Sequence, residues 1–203
     1  MKIENVIVGP MYQVNCYIVG NDEKVLVIDP GDEADKIIKA IGNRKVEYIL
    51  NTHLHVDHIG AVEALREKYG TPFGVHKSEK PAISDPVKNL SAYTGGAVSL
   101  KEADLYFEDN EEIDFLGTKI KVLHTPGHTE GGCCYIIDDN VFTGDTLFNM
   151  SIGRTDFPGG NYKKIIESIK KKLMPLGDDI KVYPGHMGDS TIGFERDNNP
   201  FLK

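Results

Sequence analysis

Four times in this chain a short apolar run ends in a loop that carries histidine or aspartate. "EYILNTHLH" begins at residue 47, "IKVLHTPGH" at 120, "NVFTGD" at 140 and "IKVYPGH" at 180. Each run is rich in β-branched residues and stops at Gly, Pro, Asn or Asp, as a strand that enters a turn does. Reactive side chains from distant parts of the chain can then converge on one edge of a sheet. Loops held by a rigid scaffold are where chemistry usually sits.

Apolar runs of the same kind occupy 3–8, 15–19, 24–28, 48–50, 73–75, 120–123, 133–137, 141–143 and 181–183. All nine read as strands, and "IIDDNVFTG" reads as a hairpin with an Asp-Asn turn. Helical spacing appears over 32–41, 60–69 and 162–173. The early strands form meanders, while helices cross between later ones. The expected fold class is α/β, with two mixed sheets and helices outside. No linker or low-complexity tract interrupts residues 1–203, so one domain is expected, long enough for a substantial core. Residues 77–103 read as a loop with one short helix, a candidate flap over the site.

The formal charge of −8 disfavours a phosphate backbone as partner. A small anionic substrate stays compatible, since one local Arg or Lys can hold it. No 18-residue apolar run and no signal-peptide pattern occur, so neither nucleic acid nor membrane is expected as partner, and the cytoplasm is the expected location. Three cysteines, Cys16, Cys133 and Cys134, do not make a secreted disulfide framework.

The stretch "NTHLHVDHIG" (51–60) holds three of the chain's seven histidines. In an extended loop residues i and i+2 point the same way, so His53 and His55 can grip one cation. Asp57 and His58, at the entry to the next helix, can face a second. Imidazole and carboxylate are ligands that Zn²⁺ accepts. Buried together without a metal, such groups would compete for protons at a cost of several kcal/mol. Downstream, "TPGHTEGG" supplies His128, "FTGDTLF" supplies Asp145 and "YPGHMG" supplies His186. The remaining histidines, His76 and His124, read as structural. Cys133 and Cys134 read as small core residues.

H-x-H-x-D-H followed by His, Asp and His at strand ends resembles the metallo-β-lactamase superfamily, from "VLVIDPG" (25–31) to "YPGH" (183–186). The resemblance implies a four-layer αββα sandwich. It also implies that His53, His55 and His128 hold one metal ion. Asp57, His58 and His186 would hold a second, with Asp145 bridging both. Two divalent ions are expected as cofactors, zinc first, with iron or manganese as other fits. Two such ions sharing a water bring its pKa towards neutrality. The implied reaction is attack of a bridging hydroxide on a carbonyl, with Asp57 and Asp145 as the catalytic carboxylates.

The metallo-β-lactamases proper lack a bridging Asp at this position, which argues against antibiotic hydrolysis. "GDTLFNMSIGRTDFPGG" (144–160) looks more like glyoxalase II, whose substrate is the thioester S-D-lactoylglutathione. There a basic residue contacts glutathione, and Arg154 stands at the matching place. Asp156 and Gly188 replace family tyrosines that contact glutathione, and the chain stops shortly after His186, like the short bacterial-type members. Its tail, "TIGFERDNNPFLK", is expected to pack, with Glu195 and Arg196 near the rim. Persulfide dioxygenases share the G-R-T-D segment at 153–156 and bind one Fe(II) through residues matching His53, His128 and Asp145. That chemistry is the alternative, along with a lactonase or phosphodiesterase.

Overall fold

The computed structural model describes residues 1–203. The chain divides into two compact units, Met1–Val75 with Glu79–Tyr106, and His76–Ser78 with Phe107–Lys203.

The N-terminal sheet is six-stranded, with its strands in sequence order. β1 (Lys2–Val8), β2 (Val14–Gly20) and β3 (Lys24–Ile28) form an antiparallel meander. β4 (Lys45–Leu50) then runs parallel to β3, and β5 (Phe73–His76) parallel to β4. Parallel neighbours need a crossover. α1 (Ala34–Ile41) supplies the first, burying Ile37 and Ile41. α2 (Val56–Ile59) and α3 (Val62–Tyr69) supply the second, with Val62 and Leu65 turned inward. Every residue of β2 is buried, so both faces of the sheet are covered there. β6 (Leu105–Phe107) closes the far edge.

The C-terminal sheet is also six-stranded and mixed, in the order β14-β13-β10-β9-β8-β7. β7 (Glu112–Phe115), β8 (Thr118–His124), β9 (Cys133–Ile137) and β10 (Asn140–Gly144) run antiparallel in turn. β11 (Leu147–Phe148) and β12 (Ser151–Ile152) make a separate small hairpin. α4 (Tyr162–Ser168) continues as a π-helical turn, Ile169–Leu173, before β13 (Lys181–Pro184) pairs parallel to β10. β14 (Ser190–Thr191) leads into α5 (Ile192–Asn198). Ile165, Ile169, Leu173 and Ile192 pack with Leu123, Val141 and Val182 into this unit's core.

All nine expected strands form. Several details differ from expectation. The β9–β10 pairing puts Ile137 opposite Asn140, so the turn residues are Asp138 and Asp139, one position earlier than expected, with Asp138 at φ +52°. The helix expected at 60–69 forms as α3, starting two residues later, and is preceded by the separate short helix α2. Residues 77–103 contain two 3₁₀ turns, Lys77–Ala82 and Ser91–Tyr93, and bury Glu79, Asn89 and Ser91. The tail forms α5, and Glu195 is fully buried rather than at a rim. Arg196 stays partly exposed, donating to the Met174 carbonyl and pairing with Asp178. No helix is long and apolar enough to cross a membrane.

Candidate metal centre

In the N-terminal unit the loop after β4 carries His53 and His55, and α2 carries Asp57 and His58. His53, His55 and His58 are at most 3% exposed. The His53 ring centroid lies 4.7 Å from that of His55 and 4.1 Å from that of His58. Asp57 Oδ2 is 3.9 Å from His58 Nε2. This many buried donors this close together suit a cation, because an uncompensated buried charge would be expelled or neutralised.

The backbone of this loop is held at nearly every residue. The Asn51 N–H bonds to the Gly74 carbonyl on β5, and Asn51 Nδ2 donates to the His58 carbonyl at 2.7 Å. The Leu54 N–H donates to Glu79 Oε2 and the Val56 N–H to the Asn89 carbonyl. The 79–89 stretch therefore braces the donor loop.

Asp29, at the end of β3, organises two of the imidazoles and was not singled out from the sequence. It is 2% exposed. Its carboxylate accepts the Thr52 N–H at 2.8 Å and the Thr52 hydroxyl at 2.7 Å. Because that hydroxyl donates to Asp29, it accepts from His53 Nδ1 at 3.1 Å. Asp29 Oδ2 also lies 3.1 Å from His58 Nδ1. A carboxylate next to Nδ1 keeps the proton there and leaves Nε2 as the donor, the usual support for a metal-binding histidine. A signal existed in "VIDPG": an Asp ending a fully apolar strand.

Gly31 explains the sharp course of the chain beside Asp57. A Cβ there would stand 1.8 Å from the Asp57 carbonyl oxygen and 2.4 Å from Val14. Gly60 opens the way into α3 without a side chain. Its constraint is Gly31, whose carbonyl accepts its N–H and would lie 2.3 Å from an added Cβ.

In the C-terminal unit Asp145 stands between two histidines. Its Oδ2 is 3.4 Å from His128 Nε2 and 3.5 Å from His186 Nε2. His128 follows β8, Asp145 follows β10 and His186 follows β13, as their positions after apolar runs implied. The Arg154 carbonyl accepts a hydrogen bond from His128 Nδ1 at 2.7 Å. A carbonyl can only accept, so Nδ1 carries the proton and Nε2 is presented to Asp145. The Phe148 ring packs edge-on against His186 at 5.8 Å.

The Arg154 side chain is exposed. It forms a two-bond fork with Asp156, at 3.0 and 2.7 Å, and lies over the Phe157 ring at 4.2 Å. Hydrogen bonding by Arg154 holds the Asp156 carboxyl below its ordinary range. His76 and His124 stack face to face at 3.9 Å. Burial, and then the neighbouring His124, bring His76 from the ordinary 6.5 down to about 4. Burial also lowers His124.

Residues 9–186 match the description "Metallo-beta-lactamase superfamily". The chain belongs to the metallo-β-lactamase superfamily. Its two mixed sheets with helices match that fold, and a His/Asp donor set in this fold suits divalent metal ions. The chain is 38% identical to a "Probable metallo-hydrolase YqgX" of Bacillus subtilis and, equally, to a "Hydroxyacylglutathione hydrolase GloC" of Haemophilus influenzae. Each alignment covers 100% of this chain and 98% of the relative. Among solved structures, "BLEG-1 B3 metallo-beta-lactamase" superposes with a TM-score of 0.94 at 35% identity, over 100% of both chains. "TTHA1623 in a di-iron-bound form" gives 0.86 at 34%, covering 98% of this chain and 100% of that one. "ETHE1 from Myxococcus xanthus" gives 0.81 at 26%, covering 98% and 84%.

Proposed function

We propose that the chain acts as one hydrolase domain with a dinuclear metal centre that hydrolyses a thioester. His53, His55 and His128 would hold one cation, Asp57, His58 and His186 the other, and Asp145 would bridge. The observation that carries this reading is the orientation of the imidazoles: Thr52 and the Arg154 carbonyl accept from Nδ1 of His53 and His128, leaving their Nε2 for a metal, and Asp29 Oδ2 lies 3.1 Å from His58 Nδ1.

When bound, the two ions supply a water acidic enough to ionise near neutral pH and a positive field for a developing oxyanion. The chain's own residues do the rest. Asp57 would take up or orient a proton from the attacking water, and Asp145 holds its carboxylate between the two imidazoles it faces. Arg154 offers a guanidinium at the surface for an anionic substrate, if the substrate's carboxylate displaces Asp156. The full-length likeness to the Haemophilus influenzae hydrolase favours S-D-lactoylglutathione or a related thioester as the small-molecule substrate.

Elemental analysis of the purified protein, with S-D-lactoylglutathione turnover, tests the proposal. About two Zn, Fe or Mn per chain with thioester hydrolysis is the expected result, and Asp145→Ala should remove both the second metal and turnover. One Fe per chain with O₂ uptake on glutathione persulfide would replace it by the dioxygenase reading. Faster turnover of a β-lactam than of any thioester would replace the substrate class instead, in line with the BLEG-1 likeness.

A further inference from the structure

The C-terminal helix contributes no donor to the proposed centre, yet it buries two polar side chains. Glu195 and Asn199 are both 0% exposed. Asn199 Nδ2 donates to Glu195 Oε2 at 2.8 Å and to the Ser151 carbonyl at 3.0 Å. The Met150 N–H donates to the same Oε2 at 3.0 Å. Asn199 itself is fixed, since its Oδ1 accepts the Phe201 N–H and its own N–H bonds to the Glu195 carbonyl. Two buried groups thus grip consecutive residues of the β11–β12 turn.

That turn needs gripping. Met150 has φ +59°, the left-handed region that a non-glycine residue occupies at a cost of roughly 1–2 kcal/mol. Asn149 adds a second tie, its Nδ2 donating to the Asp189 carbonyl just past His186. From Ser151 the chain has few ways to move. Ile152 is buried in the core, and Gly153 is pressed against the Asp145 backbone. Arg154 then presents the carbonyl that takes the His128 Nδ1 proton at 2.7 Å.

We propose that Glu195, with Asn199, is a positioning device for His128. By fixing residues 150–151 the pair sets the Arg154 carbonyl, and that carbonyl sets the tautomer and direction of the imidazole. Neither residue touches substrate. The inference rests on the metal-centre reading above. It also gives the tail, which the sequence marks only as packing, a defined effect on the donor set.

The test compares Glu195→Ala with Glu195→Gln, since Gln keeps an oxygen for the Met150 N–H and for Asn199 Nδ2. Zinc affinity of the metal-free protein is measured by competition with a chromophoric chelator, beside its thermal unfolding without metal. The His128 Nδ1–H resonance, assigned by its loss in His128→Gln, supplies a readout that plain destabilisation would not move. Losing such outer support costs about 10–100-fold in metal affinity. Glu195→Ala should show a loss of that size and a His128 proton that exchanges with solvent. Glu195→Gln should remain near the parent in both. Glu195→Ala with parental zinc affinity and an intact His128 resonance overturns the inference. Should that variant not fold, Asn199→Ala, which keeps the Glu195–Met150 bond, decides by the same two readouts. A parent protein that takes up no zinc would sink the metal-centre reading and this inference with it. A zinc-binding parent with indifferent variants would sink this inference alone.

Discussion

Gly153→Ala is the smallest change that should disturb the centre without touching a donor. An added methyl would stand 1.8 Å from the Asp145 carbonyl oxygen, 2.9 Å from its carbon and 3.1 Å from His128 Nδ1. Carbon and oxygen do not approach within 3.0 Å, so at least 3.0 − 1.8 = 1.2 Å must be found by moving backbone. Both sides of the contact carry function: one is the main chain of Asp145, the other leads to the carbonyl that orients His128. Overpacking of this kind costs about 1–3 kcal/mol of stability. For a chain of this size that is a fall of roughly 2–12 °C in the unfolding midpoint of the metal-free protein. A ligand misplaced by ~1 Å costs up to about 100-fold in rate. The assay is a zinc titration against a chelator, followed by turnover of the zinc-loaded protein and a metal-free melt. Parental zinc affinity and parental turnover together would refute the reasoning, because they would mean the backbone at 153 is not in contact with the donor set as described.

Asp29→Ala removes the acceptor of two Thr52 bonds and the neighbour of His58; loss of about 3–5 kcal/mol is expected from urea unfolding, and a loss under 1 kcal/mol would contradict the assigned network. His76 is held neutral, so the unfolded chain binds the extra proton between pH 6.5 and 4 and stability should fall as pH drops through that window. His76→Gln should flatten that part of the pH–stability curve; an unchanged slope would assign it to other groups. Arg154→Ala should raise KM for an anionic thioester several-fold and leave kcat nearly unchanged, measured by steady-state kinetics; an unchanged KM would leave Arg154 as the partner of Asp156 alone.

What could be read in advance followed burial. β2, β3 and β9 are covered on both faces, so their apolar runs stand out, and the donors sit where those runs stop. Of the missed strands, β6, β7 and β14 lie at sheet edges, and β11 and β12 are two-residue strands of a separate hairpin. "EEIDF" alternates with exposed acids and carries little signal there. α5 was missed for the opposite reason. Its inward face includes Glu195, a residue that composition assigns to the surface, and its second residue is Gly193, which an apolar-periodicity argument reads as a break. Of the proposed site, the seven candidate donors could be named in advance because the chemistry they would offer is carried by residue type and spacing. Asp29, Glu79, Asn89 and the Arg154 carbonyl were not, because each acts through a hydrogen bond to a residue distant in sequence.

Cys16, Cys133 and Cys134 are each at most 1% exposed, and burial raises the Cys16 thiol well above its ordinary range, with Asp29 adding to the effect. Thiolate is the reactive form, so the folded chain should be silent towards alkylating and disulfide reagents. Any labelling then reports opening. Cys16 lies in the N-terminal unit and the Cys133–Cys134 pair in the C-terminal one. Each half therefore carries its own clock for local unfolding, readable by mass without introducing a single probe.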